Sequence, residues 1–441
     1  MLTIVVILSI YVLFSGLTYL LLRKKAVSLS WQQSALYPGV KIIAGCGYGY
    51  VYGKYYHGDD TWALNHDALI QYQRLLHEPR LFFADLFSKD PVSAPGLYFQ
   101  DVTTYAQRLE YAVTTKIMAP FNLVSQGNYY INTVFFSFLS FWGAYLLYKT
   151  LICANFSEYL PTPKPIRPPS RSPFARLRVP HSLQLALFLF LPVVFWLSGI
   201  RGEGLLLLFS GILLYYFGQL LHQPGIKNSL LCLIGFGLLF IIRSNFAVSL
   251  LPALLAWWLT VRFGIKPLKS FAVVYGLLTL AIIASTFLPP QYNALRPVAE
   301  RQQSFLALHG NTRFDLTPLH NNIGSFLAVA PEALVNTLLR PWPWEAKGVL
   351  QWLVALENII VWGLIAWCLA RYRQYIKTVF QHPLAWVLLF AALSNYLFIG
   401  YVVPFPGAIV RYRAMPELFL LCLLAMIMSR NINTHSLASG E

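Results

Sequence analysis

Apolar segments of roughly 15–22 residues recur along this 441-residue chain, and they constrain its fold more than any other feature. Each is long enough, or nearly so, to cross the hydrocarbon core of a bilayer as an α-helix. Charged residues make up only 11% of the chain, against about 25% in soluble proteins. A membrane β-barrel would instead show alternating segments of about ten residues. The sequence therefore predicts an all-α, polytopic helical membrane protein.

We place about eleven transmembrane helices along the chain. Basic segments flank residues 229–261 on both sides, so this stretch is predicted to cross the membrane twice, with a turn at Arg243. The predicted spans are 3–22, 36–52, 130–151, 182–200, 205–221, 229–242, 246–261, 271–288, 349–370, 384–403 and 414–428.

Lysine and arginine orient these spans, because they concentrate in the cytoplasmic loops of membrane proteins. Basic clusters at 23–25, 164–178, 262–269 and 371–377 fall on one side, which predicts an outside N-terminus and a cytoplasmic C-terminus. The net charge of +16 arises from such short loops, so no nucleic-acid partner is expected. The predicted organisation is two N-terminal spans (1–56), an external loop (57–129), further spans (130–288) with a basic cytoplasmic linker (152–181), a second external loop (289–348) and C-terminal spans (349–441).

The stretch HGDDTW at 57–62 opens the first external loop. After it, apolar residues recur at helical spacing among charges, which predicts amphipathic helices on the membrane surface. Two interpretations of Asp59 and Asp60 stay open. One aspartate can cap the helix that begins near Thr61, or a carboxylate at the mouth of a membrane cavity can act as a general base. The pair is also the place best suited to a divalent cation, and no other cofactor is indicated.

Arginines on the predicted outer side are candidates for binding an anion, because a guanidinium presents a fixed fork of donors to phosphate oxygens. Arg201 and Glu203 lie where one span ends and the next begins, and Arg243 lies at the next outward turn. Arg411 and Arg413 lie at the outer end of the last span, against the usual charge bias. The alternatives are an ordinary polar turn for the first group and snorkelling to lipid head groups for the second.

LLRPWPWE at 338–345 combines Arg340 and Glu345 with two tryptophans, which often anchor a span at the interface. The charged pair is an equal candidate for contact with a substrate. Glu357 and Glu417 lie within or at the edge of spans, where an ionisable group usually faces a polar cavity or a partner. No tight histidine spacing, phosphate loop or nucleophile elbow occurs, so soluble nucleotide-driven chemistry is not expected.

The phrases VFWLSGIRGEG (194–204), LLRPWPWEAKGVLQWLVALEN (338–358) and VRYRAMPELFLL (410–421) resemble segments of bacterial GT-C glycosyltransferases. This superfamily includes protein O-mannosyltransferases and lipid A aminoarabinose transferases. An acidic motif in the first external loop, followed by amphipathic helices, is also similar to its members. The resemblance implies an inverting sugar transfer from a polyprenyl-phosphate-linked donor to a glycan, lipid or protein acceptor, at the outer face of the bacterial inner membrane. It also implies that Asp59 or Asp60 is the base, and that arginines such as Arg201, Arg243, Arg340 or Arg411 hold the donor phosphate.

Two other functions remain open. An O-antigen polymerase or ligase would also join lipid-linked glycans outside the cell, but its chemistry would depend on the arginines rather than on Asp59. A lipid or glycan transporter would show internal repeats and helices broken in mid-membrane. No repeat is visible, and Glu357 is the main feature on that side.

Overall fold

Capping residues and prolines divide the apolar sequence into helices. The computed structural model describes residues 2–25, 27–56, 59–87, 105–155, 181–308 and 313–438, with side chains at 155 and 430–438 excepted. Within these ranges the regular structure is helical, and no strand occurs. The predicted linker at 152–181 lies mostly outside the described residues, as do 57–58, 88–104 and 309–312 of the two predicted loops.

The α-helices fall into two compact units, residues 1–247 and 248–441, with one helix running across the boundary. The helices are α1 (Leu2–Leu22), α2 (Trp31–Tyr55), α3 (Asp59–His77), α4 (Pro79–Ala84), α5 (Tyr105–Met118), α6 (Asn122–Ser125), α7 (Tyr129–Asn155), α8 (His181–Gln184), α9 (Leu191–Trp196), α10 (Gly202–His222), α11 (Ile226–Ile242), α12 (Ser244–Phe263), α13 (Pro267–Ser285), α14 (Arg296–Leu306), α15 (Ile323–Leu339), α16 (Val349–Arg371), α17 (Arg373–Val379), α18 (Pro383–Val402) and α19 (Pro406–Ala438).

Eight helices in the described ranges are long and apolar enough to cross a membrane, which supports a multi-pass membrane protein. They are α1, α7, α10, α12, α13, α16, α18 and the part of α19 up to Ser429. Many of their leucines and isoleucines are exposed, as expected for helices that face lipid. The count of about eleven spans and the external position of α3 and α5 stay predictions.

Three predicted spans lie outside these eight. Residues 36–52 form the middle of α2, whose polar and glycine-rich sequence lowers its apolar character. Residues 229–242 lie in α11, an apolar helix of only 17 residues. Residues 182–200 do not form one helix: a π-helical turn (Leu185–Leu189) leads to an extended Phe190, and Pro192 lies in the first turn of the next short helix, α9. Proline has no N–H for the preceding turn, which accounts for the break at this point.

Helix α15 is an addition to the prediction, because it lies in the segment assigned to the second external loop. It is apolar and 17 residues long, and Asn322 caps it by accepting a hydrogen bond from the Ser325 N–H at 2.8 Å. Pro331 and Glu332 interrupt its apolar run, so the sequence gives no uninterrupted span of about 20 residues.

Glycines allow a close contact between two helices of the first unit. A Cβ atom on Gly143 of α7 would lie 2.5 Å from the carbonyl oxygen of Leu207 and the backbone nitrogen of Leu208 in α10. A Cβ atom on Gly211 would overlap the backbone of Gly143 in return. The two backbones therefore touch, as in the small-residue interfaces of membrane helices.

The second unit has its own core, in which α14, α15 and α18 pack together with the start of α19. Thr337 Oγ1 of α15 donates to the carbonyl oxygen of Tyr396 in α18 at 2.8 Å. The start of α19 contributes Ile409, which is fully buried. These contacts fix the ends of the helices that carry Arg340 and Arg413.

Candidate functional site

Asp59, Asp60 and Arg201 come together in the first unit. Helix α3 begins at Asp59, so both aspartates lie in its first turn, where the helix dipole favours negative charge. Arg201 is the extended residue that precedes α10. One of its terminal nitrogens contacts Asp59 Oδ2, and the other lies 3.2 Å from Asp60 Oδ2.

The guanidinium approaches the two carboxylates from the buried side. The Arg201 side chain is 5% exposed, whereas those of Asp59 and Asp60 are 31% and 44% exposed. The arginine therefore holds the two like charges together while both carboxylates keep access to solvent. The buried guanidinium thus offsets the repulsion between the two adjacent aspartates.

Two contacts hold Arg201 in position. Its guanidinium lies 5.4 Å from the ring centre of Tyr52, within the range of a cation–π contact. Tyr52 is the middle of a stacked ladder on α2, with Tyr48 at 4.3 Å and Tyr56 at 5.0 Å between ring centres. Thr61 Oγ1 donates to the carbonyl oxygen of Ile200 at 3.0 Å, which ties the start of α3 to the residue before Arg201.

A second ion-pair group surrounds Glu203, which is 97% buried in the first turn of α10. Arg243, between α11 and α12, donates to Glu203 Oε1 at 2.9 Å and lies 3.8 Å from Glu110 Oε1 of α5. Helix α11 ends just before Arg243 and α12 begins just after it, at the position predicted for a turn. Glu203 and Arg243 thus form an ion pair with each other.

The two groups together carry a formal excess of negative charge, with four carboxylates (Asp59, Asp60, Glu110 and Glu203) against two guanidinium groups (Arg201 and Arg243). A phosphate that bound either arginine would have to share it with a carboxylate partner. The role of Arg201 and Arg243 in binding the donor phosphate stays a prediction.

The described ranges contain no group of three or more His, Cys, Asp or Glu side chains suited to an ion, and a metal at Asp59 and Asp60 stays a prediction. Asp59 and Asp60 are the predicted ligands, and both contact Arg201. A divalent cation at this pair would face that guanidinium at close range.

Arg340 and Glu345 form an ion pair in the second unit, with Nε 3.3 Å from Glu345 Oε1. Glu345 Oε2 also accepts the Trp342 N–H at 3.1 Å, and the Arg340 guanidinium lies 4.4 Å from the ring centre of Phe314. Arg411 donates to the hydroxyl of its neighbour Tyr412 at 3.0 Å. Arg340 and Arg411 are both partly exposed, and their donor-phosphate role stays a prediction.

Arg413 points into the helix bundle of the second unit and is 97% buried. Its Nε lies 3.3 Å from Glu417 Oε2, and its terminal nitrogens donate to Asn358 Oδ1 and to the carbonyl oxygen of Thr337 (3.1 Å). These partners account for a buried charge within the protein. Its role in substrate binding stays a prediction.

Sequence reasoning missed Glu110 and Tyr52. Tyr48, Tyr52 and Tyr56 recur every four residues in GYGYVYGKYY, so the spacing alone could have placed them on one helix face. Glu110 gave no such signal, because its pairing with Arg243 depends on the packing of α5 against α11.

The comparisons with known proteins give no match: no protein-family model, no curated protein and no solved structure is similar to this chain.

Proposed function

We propose that the chain is a membrane-embedded glycosyltransferase that moves a sugar from a polyprenyl-phosphate-linked donor to an acceptor hydroxyl. The observation that carries this proposal is the pair of partly exposed carboxylates, Asp59 and Asp60, held by the buried Arg201. A general base needs a fixed position and access to its substrate, and this arrangement supplies both. The resemblance of three sequence segments to GT-C enzymes supports the same class.

Within the pair, we assign the base to Asp60. Asp59 accepts the Asp60 N–H at Oδ1 (2.7 Å) and contacts Arg201 through Oδ2, so both of its oxygens are engaged within the protein. Asp60 is the more exposed of the two. It takes the proton of the acceptor hydroxyl while that oxygen bonds to the anomeric carbon, and the polyprenyl phosphate leaves with the electrons of the broken carbon–oxygen bond.

Arg201 is then a positioning residue that fixes the orientation of both carboxylates. The exposed ring of Tyr56, at the end of the ladder on α2, offers an apolar face of the kind on which a sugar ring can stack. The outer face of a bacterial inner membrane, with the N-terminus outside, is the location that this function requires. Membrane lipids, the lipid-linked donor and a glycan, lipid or protein acceptor are the partners.

The test uses cells that lack the chain and are complemented with variants. Mass spectrometry measures lipid-linked sugars and envelope glycans for the wild type, Asp59→Asn, Asp60→Asn, the double variant and Glu300→Gln. Glu300 is a matched control, because it is an exposed carboxylate paired with Arg296 at 2.5 Å in the second unit.

We expect Asp60→Asn to lower product about 100-fold or more, as the loss of a general base does, and to cause accumulation of the lipid-linked donor. Glu300→Gln should behave as the wild type. Equal membrane levels of each variant, checked by immunoblotting, exclude a folding defect. If the double variant, present in the membrane at the wild-type level, gave as much product as the wild type, the proposed mechanism would be wrong. That result would favour an arginine-dependent polymerase or ligase.

A second candidate function is a transporter, favoured by the two carboxyl groups buried in mid-span in the second unit, Glu357 and Glu417. Uptake or flipping of a lipid-linked sugar by the purified chain in liposomes, without sugar transfer, would support it over the glycosyltransferase.

A further inference from the structure

Two carboxyl groups lie deep in the apolar helices of the second unit. Glu357 is about 12 Å from the start of α16 and Glu417 about 16 Å from the start of α19, at 1.5 Å of rise per residue. They are 8% and 4% exposed. Ionisable groups at such positions are costly, so they need a cation, a proton or strong hydrogen bonds.

Arg413 supplies one positive charge, but most of its hydrogen-bond donors bind groups other than the two glutamates. Its terminal nitrogens donate to Asn358 Oδ1 and to the carbonyl oxygens of Thr337 (3.1 Å) and Arg340 (3.3 Å), and only Nε faces Glu417. Two ionised carboxylates and one guanidinium would leave a formal charge of −1 in the bundle.

The side chains of Glu357 and Glu417 lie within hydrogen-bonding reach of each other. Two carboxylates repel, and a hydrogen bond between them requires a proton on one. Moreover, Oε1 of Glu417 is buried and receives no hydrogen bond from any ordinary donor in the described part of the chain. A proton on Glu357 supplies the missing donor and removes the excess charge at the same time.

A crevice lies beside Glu417 in this cluster. Its polar lining comes from Thr337, Asn358, Tyr396, Arg413 and Glu417, and its apolar lining includes Trp362. The charged and titratable groups that face the carboxyl pair are Arg413 from α19 and Tyr396 from α18, while α15 presents the uncharged Thr337 and Leu338.

We propose that Glu357 and Glu417 form a proton-binding site, which takes up one proton from water through this crevice and releases it by the same route. The cluster is neutral when the pair holds the proton and carries one negative charge when it does not. The site is independent of the glycosyltransferase function, since it uses none of the residues around Asp60.

The experiment uses the full chain in lipid nanodiscs and dicyclohexylcarbodiimide, an apolar reagent that modifies protonated carboxyl groups. Mass spectrometry locates the adducts across a pH series for the wild type, Glu357→Gln, Glu417→Gln and Glu332→Gln. Glu332 is the control, because its carboxylate is bound at the surface by the Thr317 hydroxyl at 2.5 Å.

We expect an adduct on Glu357 or Glu417 of the wild type that decreases as the pH rises, and the same adduct in Glu332→Gln. Either glutamine at the pair leaves one carboxylate with one guanidinium, which is neutral without a proton. Labelling of the remaining glutamate should therefore fall by roughly tenfold or more in each variant. A single protonated acid with no shared proton would keep its label when the other residue is replaced, and that result would overturn the proposal.

Two measurements on the wild type decide the matter if a variant fails to fold. Infrared spectroscopy should show the carbonyl stretch of a protonated carboxyl group that shifts in heavy water. Absence of both this band and the adduct at every pH would overturn the proposal. So would loss of the adduct on adding sodium chloride but not choline chloride, because that result would identify a metal-cation site.

Discussion

Replacing Arg201 by glutamine is expected to reverse the effect of Asp60 on stability. In the wild type, Asp60 Oδ2 lies 3.2 Å from Arg201 Nη1. Two unit charges at that distance attract by about 5 kcal/mol at an effective dielectric constant of 20. Asp60 is 44% exposed, so solvent screens much of this attraction. Breaking fully buried pairs costs about 3–5 kcal/mol and breaking exposed ones about 0–1. We therefore expect Asp60→Asn to lower the free energy of unfolding by about 1–2 kcal/mol.

Without Arg201, the same substitution has the opposite consequence. Asp59 and Asp60 are then adjacent carboxylates with no guanidinium between them, and like charges this close repel by about 0.5 kcal/mol in water. Asp60→Asn in an Arg201→Gln background should therefore be neutral or stabilising by about 0.5 kcal/mol. The coupling energy of the pair is then about 2 kcal/mol.

The assay is reversible unfolding of the purified chain in mixed micelles, with the wild type, both single variants and the double variant. The same cycle on Arg296 and Glu300 is the control, because that pair is closer, at 2.5 Å, but its side chains are 42% and 55% exposed. We expect a coupling of about 0.5 kcal/mol or less there. Additive effects of Arg201→Gln and Asp60→Asn, within about 0.5 kcal/mol, would show that the guanidinium does not hold the carboxylates.

Three further predictions concern stability. Gly211→Ala should cost about 1–3 kcal/mol by forcing α7 and α10 apart, whereas Gly237→Ala, with open space around it, should cost nothing; thermal unfolding compares the two. Lys41→Met should raise the free energy of unfolding, because the Lys41 amine is 99% buried and its hydrogen-bond partner is a serine hydroxyl. Asp85→Asn should cost about 3 kcal/mol by removing the carboxylate 2.9 Å from Lys116. Burial already lowers the pKa of Lys116 and Asp85 opposes that effect, so Asp85→Asn should lower the pKa of Lys116 further. The folded state of the variant then binds fewer protons than its unfolded state, so its free energy of unfolding should increase as the pH rises through the alkaline range. Denaturation at a series of alkaline pH values measures this increase.

The sequence predicted the positions of most apolar helices, because length and apolarity are local properties. The break at Arg243 also followed from the charges on either side of it. By contrast, the interruption at Pro192 and the helix α15 depend on how a marginal apolar segment packs, which no local pattern records.

The candidate site was predicted as a set of residues but not as a set of contacts. Asp59, Asp60 and Arg201 were each singled out, and the structure joins them. Their pairing across 142 positions in the chain is a long-range property, which no local sequence pattern records. The same reason explains why Glu110, the second carboxylate beside Arg243, was not identified.

Gly199 controls the candidate site by having no side chain. A Cβ atom there would lie 2.5 Å from Cδ1 of Tyr48, whose buried ring packs against Phe195 and Trp196. A single added methyl group would therefore displace the backbone segment that leads, two residues later, to Arg201. The position of the guanidinium beside the carboxylates thus depends on direct packing of the Tyr48 ring against the backbone of Gly199.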